Sequence, residues 1–161
     1  MSNKALLTGL AILASLTGCA SGATSEEADD TTADANLPRA AEGQSAELLS
    51  AFFGLDNALP TLSRLICRDA PGKDGMPVIF STEIDHTTMQ AGDFRVTSGS
   101  GEIGKVHCAY LLTATDAGEL RTVLLIGEFG NANNDPPARV EIAGHLESID
   151  GRLDYQGASI D

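Results

Sequence analysis

From Met76 onward, apolar residues recur at every second position in short runs, a periodicity that suits strands and excludes amphipathic helices. Met76, Val78 and Phe80 alternate with Pro77, Ile79 and Ser81. Phe94 and Val96 alternate with Arg95 and Thr97. Val106, Cys108, Tyr110 and Leu112 fall on one face of a further run, with Lys105, His107 and Ala109 on the other. Val123 to Ile126 is continuously apolar, as expected of a central strand covered on both sides. Val140 and Ile142 mark another short strand. Leu146, Ile149, Leu153 and Tyr155 read as a last hairpin around an Asp150-Gly151 turn. Clusters of Gly, Asn, Asp and Pro separate the runs, notably Gly99-Ser100-Gly101 and Gly130 to Pro137. Many short strands without βαβ alternation predict a mainly β domain, an antiparallel sandwich or barrel.

Upstream the pattern changes. Ser45 to Phe53 predicts a short helix, with Ser45 as N-cap and Leu48, Leu49, Phe52 and Phe53 on one face. Gly54 would end it. A short apolar stretch, Leu62 to Cys67, follows Pro60, and Asp69 to Gly75 reads as a loop. The chain stops at Asp161, soon after its last apolar residues. A seven-stranded sandwich then needs one more strand, from Leu62 to Ile66 or not at all.

The stretch Met76-Pro77-Val78-Ile79-Phe80-Ser81-Thr82-Glu83-Ile84-Asp85, with Thr87, Thr88, Met89 and Asp93-Phe94-Arg95-Val96-Thr97, resembles the opening of bacterial Ig-like domains of the S-layer (SbsA-like) type. The resemblance covers residues 76–97, and the pattern departs beyond Gly101. It implies an antiparallel Ig-like β-sandwich used on cell surfaces for adhesion or as a spacer. It carries no catalytic residues across.

The N-terminus gives an address. Lys4 precedes an apolar run, Ala5 to Leu16, of about a dozen residues, too short for a bilayer core that needs roughly 20. Residues 1–18 therefore read as a signal peptide. Leu16-Thr17-Gly18-Cys19 resembles the lipobox of bacterial lipoproteins, which implies that Cys19 is acylated (a palmitate-type modification) and becomes the new N-terminus. Ala20 is not the Asp that resembles an inner-membrane retention signal, so the expected address is the outer membrane, facing the periplasm or the outside. Membrane lipid is then the partner at this end.

Residues 19–44 form an acidic tether. Glu26, Glu27, Asp29, Asp30, Asp34 and Glu42 stand against Arg39, and Leu37 is its one sizeable apolar residue. Such a stretch buries too little surface to offset its ordering entropy. Its flexible reach is roughly 25–30 Å. The folded domain is expected over residues 45–161.

With Cys19 lipidated, Cys67 and Cys108 remain. In an oxidising compartment they most simply form one disulfide, stabilising the fold by about 4 kcal/mol on a chain-entropy account. Neither lies in a C-x-x-C or at zinc spacing, which disfavours a redox or metal pair.

The net charge of −13 works against nucleic-acid partners, where cations must replace counterions, and against docking on anionic headgroups. Candidate chemistry is sparse. Glu128, Asn131, Asn133, Asn134 and Asp135 crowd the loop after the most apolar strand, and such oxygens suit Ca²⁺, although the spacing is not that of an EF-hand. Asn and Asp also suit turns. His86, His107 and His145 read as solvated, and Ser98-Gly99-Ser100-Gly101 is not a nucleophile elbow. Glu83 and Asp85 lie two apart, and aromatics for sugar stacking are only 4% of the chain. The expectation is a non-catalytic, lipid-anchored envelope module that displays a sandwich to a protein or other envelope partner. A calcium-dependent binding module using Glu128, Asn131, Asn133 and Asp135 is the first alternative, and an envelope hydrolase the second.

Overall fold

A computed structural model describes residues 43–111 and 119–161. The signal segment, Cys19, most of the tether and Leu112 lie outside the described residues. The described chain is mainly β. Its strands are β1 (Leu48–Ala51), β2 (Asp74–Phe80), β3 (Phe94–Ser98), β4 (Lys105–Tyr110), β5 (Thr122–Glu128), β6 (Pro137–Ile142) and β7 (Ser159–Ile160). They form two sheets, ordered β1-β2-β5-β4 and β3-β6-β7, and every pairing is antiparallel. Labelled A to G in chain order, this is ABED against CFG, the strand arrangement of a seven-stranded immunoglobulin-type sandwich.

The main core lies where the two sheets face each other. Met76, Val78, Phe80, Val123 and Leu125 come from the first sheet, and Phe94, Val96, Val140 and Ile142 from the second. Ile84, Phe129, Leu146 and Tyr155 close its ends, all fully buried or nearly so. The alternation of β2 and β3 is thus the pleat placing every second side chain inside. In β5 the alternation has a second use. Val123 and Leu125 enter the main core, while Leu124 and Ile126 meet a smaller cluster of Leu59, Cys67 and Ala70 on the outer face. A strand covered on both faces must be apolar throughout, as its composition predicts.

Three expectations are corrected. Ser45–Phe53 is not a helix: residues 48–51 are β1, pairing Leu48 with Phe80 and Ala51 with Val78. Pairing to an existing sheet edge satisfies backbone groups and buries Leu48, while Leu49 and Phe52 stay exposed. A helix there would have gained little apolar burial. The additional strand is therefore β1 and not Leu62–Ile66, where residues Thr61–Leu65 form a 3₁₀ helix.

β4 does not keep one face throughout. A bulge between Val106 and Cys108 interrupts its register with β5. Val106 packs on the main core, but beyond the bulge Ala109 and Leu111 do so, while Cys108 and Tyr110 join the outer cluster. One extra residue reverses the alternation, as a bulge must.

Leu146–Tyr155 is a short irregular hairpin without regular strands. It has one antiparallel bridge, Glu147 to Asp154, flanked by the Ser148 N to Leu153 carbonyl and Tyr155 N to Leu146 carbonyl bonds. It is closed by a turn in which Gly151 takes φ +66° and donates to the Ser148 carbonyl at 2.8 Å. The Asp150-Gly151 turn is where the sequence places it.

Tyr155 anchors this loop. Its ring stacks edge-on against Phe80 at 5.0 Å between centroids. Its hydroxyl accepts from Thr82 N at 3.1 Å and lies 2.9 Å from Ser81 Oγ, which in turn donates to the Ser45 carbonyl. Tyr155→Phe keeps the ring and orphans the Thr82 amide, at a cost of about 1–2 kcal/mol. Chemical denaturation should show that loss with an unchanged m-value. Burial pushes the Tyr155 phenol above its ordinary value. The neutral form is favoured by folding, so this contribution persists below pH of about 10 and is lost as pH rises beyond it.

Candidate functional site

The loops after β3 and β5 meet at one end of the sandwich. They enclose a cleft of about 320 Å³ lined by Ser98, Glu102, Lys105, Glu128, Phe129 and Asp135 among others. Two of the residues singled out for calcium, Glu128 and Asp135, thus line one cleft. Asn131 pairs with Asp135 across the loop, donating its amide to the Asp135 carbonyl at 2.9 Å. Its side-chain oxygen accepts from Asn133 N at 3.1 Å and Asn134 N at 3.3 Å. Asn133 and Asn134 contribute backbone to that turn.

Two of the cleft's three carboxylates, Asp135 and Glu128, are engaged by the protein. Asp135 Oδ1 accepts from Ser100 N, and its Oδ2 from Ser100 Oγ, both at 2.8 Å. The Ser100 hydroxyl, then that of Ser98, holds the Asp135 carboxyl below the usual range. Asp135 thereby ties the β3–β4 turn to the β5–β6 loop. Glu128 forms an ion pair with Lys73, which lowers its pKa by hydrogen bonding and by charge. Among the described residues, no group of three His, Cys, Asp or Glu side chains is placed to hold a metal ion. With Asp135 and Glu128 occupied in this way and no three such side chains gathered, the melting temperature should not rise in millimolar Ca²⁺. A rise that disappears in Asp135→Ala would establish a cation site instead.

The remaining candidates are dispersed. His86 is exposed in the loop after Asp85. Asp85 Oδ1 accepts from Thr87 Oγ1 at 2.7 Å and Thr87 N at 2.8 Å, which hold its carboxyl low. Glu83 is buried, and its carbonyl accepts from Ile149 N at 2.9 Å. The two acids therefore serve different local structures. His145 is exposed, with Asp154 Oδ2 3.2 Å from Nδ1 and Glu147 Oε1 3.2 Å from Nε2. Its two partners sit at opposite ring nitrogens and cannot converge on one ion.

His107 departs from the solvated reading. Its side chain is only 13% exposed, at the β4 bulge, with Nε2 4.0 Å from Glu128 Oε2.

Cys67 and Cys108 are bonded, with Cα atoms 6.2 Å apart. The bond fixes the segment after the 3₁₀ helix to β4. It lies on the outer face of one sheet and does not cross between sheets. Tyr110 Oη donates to the Ile66 carbonyl at 2.6 Å beside it. The sequence reading passed over Asp74, which is buried at the start of β2. Its Oδ1 accepts from Asn57 N at 2.8 Å and its Oδ2 from Phe129 N at 2.7 Å. Its only sequence signal is an acid two residues before an apolar alternation.

Comparison with protein-family models, curated proteins and solved structures finds no match to this chain. The functional reading therefore rests on the residues themselves.

A pH dependence follows from the surface. Asp85, Asp135 and Asp154 are all held below the usual carboxylate range, Asp154 chiefly by the Gln156 amide. A carboxyl lowered in the folded state stabilises above its unfolded pKa and loses that contribution as pH falls through the folded value. Melting temperature should therefore decline below about pH 4. Asp135→Asn should start lower at neutral pH and show a shallower acid decline.

Proposed function

We propose that this chain is a non-catalytic outer-membrane lipoprotein, in which acylated Cys19 and an acidic tether display a disulfide-pinned sandwich to an envelope partner. One observation carries the reading. The Cys67–Cys108 bond uses two of the three cysteines. The third is Cys19, at the end of Leu16-Thr17-Gly18-Cys19. A disulfide that spans the outer cluster suits an oxidising compartment. A cysteine outside that bond and at the lipobox position suits acylation. Two or more acyl chains would hold the protein stably, at about 0.8 kcal/mol per buried CH₂.

The decisive measurement is the intact mass of the membrane-extracted protein, with and without reductant. The expected mass is that of residues 19–161 plus acyl groups, gaining two hydrogens on reduction. An unacylated mass removes the anchor. A mass unchanged by reductant removes the disulfide and, with it, the argument for the compartment.

A further inference from the structure

The segment after Pro60 presents apolar side chains to water while being rigidly held from beneath. Leu62, Leu65 and Ile66 are 71%, 80% and 42% exposed. The Cys67–Cys108 bond and the Tyr110 hydrogen bond to Ile66 fix the backbone that carries them. They are thus not a fraying loop. An open groove of about 310 Å³, lined by Leu59, Leu62, Ile66, Leu124 and Ile126, runs beside them. A held, contiguous apolar surface marks a contact site.

The charge around it is unlike the rest of the chain. Between Asn57 and Lys73 the ionic residues are Arg64, Arg68 and Lys73 against Asp69 alone. Lys73 is paired with Glu128. Arg64 and Arg68 are exposed and form no ion pair among the described residues. The chain's net charge of −13 opposes any anionic surface. Distant charges are screened over about 8 Å at physiological ionic strength, however, so the local cations dominate what a surface in contact would meet.

We propose that Leu62, Leu65 and Ile66, flanked by Arg64 and Arg68, form an interfacial docking face for an anionic phospholipid surface. The aliphatic side chains enter the headgroup boundary, to a depth of about 5–10 Å, and the arginines remain at phosphate level. Such a patch is weak alone. This inference rests on the anchor proposed above, because a tether of roughly 25–30 Å reach turns docking into an intramolecular event at high effective concentration. The sandwich would then alternate between a docked and a displayed position.

The chain contains no tryptophan, so one introduced residue reports its own surroundings. Leu65→Trp in the full-length gene product, extracted and reconstituted in phosphatidylcholine–phosphatidylglycerol vesicles, should emit at shorter wavelength and be quenched by brominated acyl chains. Leu62→Trp should behave alike. Ile103→Trp, an exposed apolar position outside the segment, should stay solvent-like. Changing Arg64→Gln and Arg68→Gln together should lower the docked-to-displayed ratio about thirtyfold, at roughly 1 kcal/mol per basic residue. Solvent-like, unquenched emission at both Leu65→Trp and Leu62→Trp would overturn the proposal and leave the face to a protein partner. Quenching equal to that of Ile103→Trp would do the same. The intact mass of the same preparation reports the anchor separately. An acylated protein without quenching defeats docking alone, and quenching without acylation defeats the anchor alone.

Discussion

Asp74→Ala should lower the unfolding free energy by about 1–4 kcal/mol, because a buried amide and a part-buried one lose their only described acceptor. The Asn57 and Phe129 N–H groups both point at this carboxylate, one from the loop after β1 and one from the end of β5. Alanine leaves the Phe129 donor buried and unpaired, at about 1–3 kcal/mol, while the Asn57 donor is part-buried and costs less. At about 4 °C per kcal/mol for a domain of this size, melting should fall by roughly 5–15 °C. Asp74→Asn keeps one carbonyl acceptor and turns an NH₂ toward the other amide. It should lose about half as much and therefore remain measurable even if alanine prevents folding. A loss under about 0.5 kcal/mol in Asp74→Ala would mean that the two amides find other partners and that the end of the sandwich is not organised around this carboxylate.

Breaking the Cys67–Cys108 bond should cost about 4 kcal/mol, on a loop of 41 residues and the chain-entropy relation. That is a large part of the 5–15 kcal/mol typical of a domain. Cys67 is also buried with Leu59, Ala70 and Ile126, so the double variant to alanine adds a packing loss to the entropic one. Reductant removes the bond but keeps the sulfur atoms. Reduced protein should therefore melt below the oxidised form and slightly above Cys67→Ala/Cys108→Ala. Equal melting of oxidised and reduced protein would show that the outer cluster holds without its covalent link.

Much of the sandwich was legible because its physics is local. Inside and outside alternate along β2 and β3, and the unbroken run in β5 reports a strand covered twice. What was illegible depends on neighbours distant in sequence. Leu48, Leu49, Phe52 and Phe53 fit a helical stripe, but the edge of β2 offered hydrogen bonds that a short helix could not match. The β4 bulge leaves no compositional mark, since it is set by the register of β5. At the candidate site, the sequence singled out Glu128 and Asp135, which line one cleft. It could not show that Ser100 and Lys73 engage them, because those partners arrive from other loops. Asp74 was passed over for the same reason, its two donors being 17 and 55 residues away.

The bulge at His107 also bears on how this sequence can vary. Substitutions in β4 can be absorbed one side chain at a time. A change of length after Cys108 cannot. Deleting His107 would only remove the bulge, leaving Val106 opposite Gly127 and Cys108 opposite Ile126, whereas deleting Ala109 would send Leu111 outward and turn Tyr110 toward the main core. An added residue after Cys108 would invert the same faces. The strand thus works as a counter, one that keeps the disulfide and the hydrophobic face in agreement only when the spacing is kept.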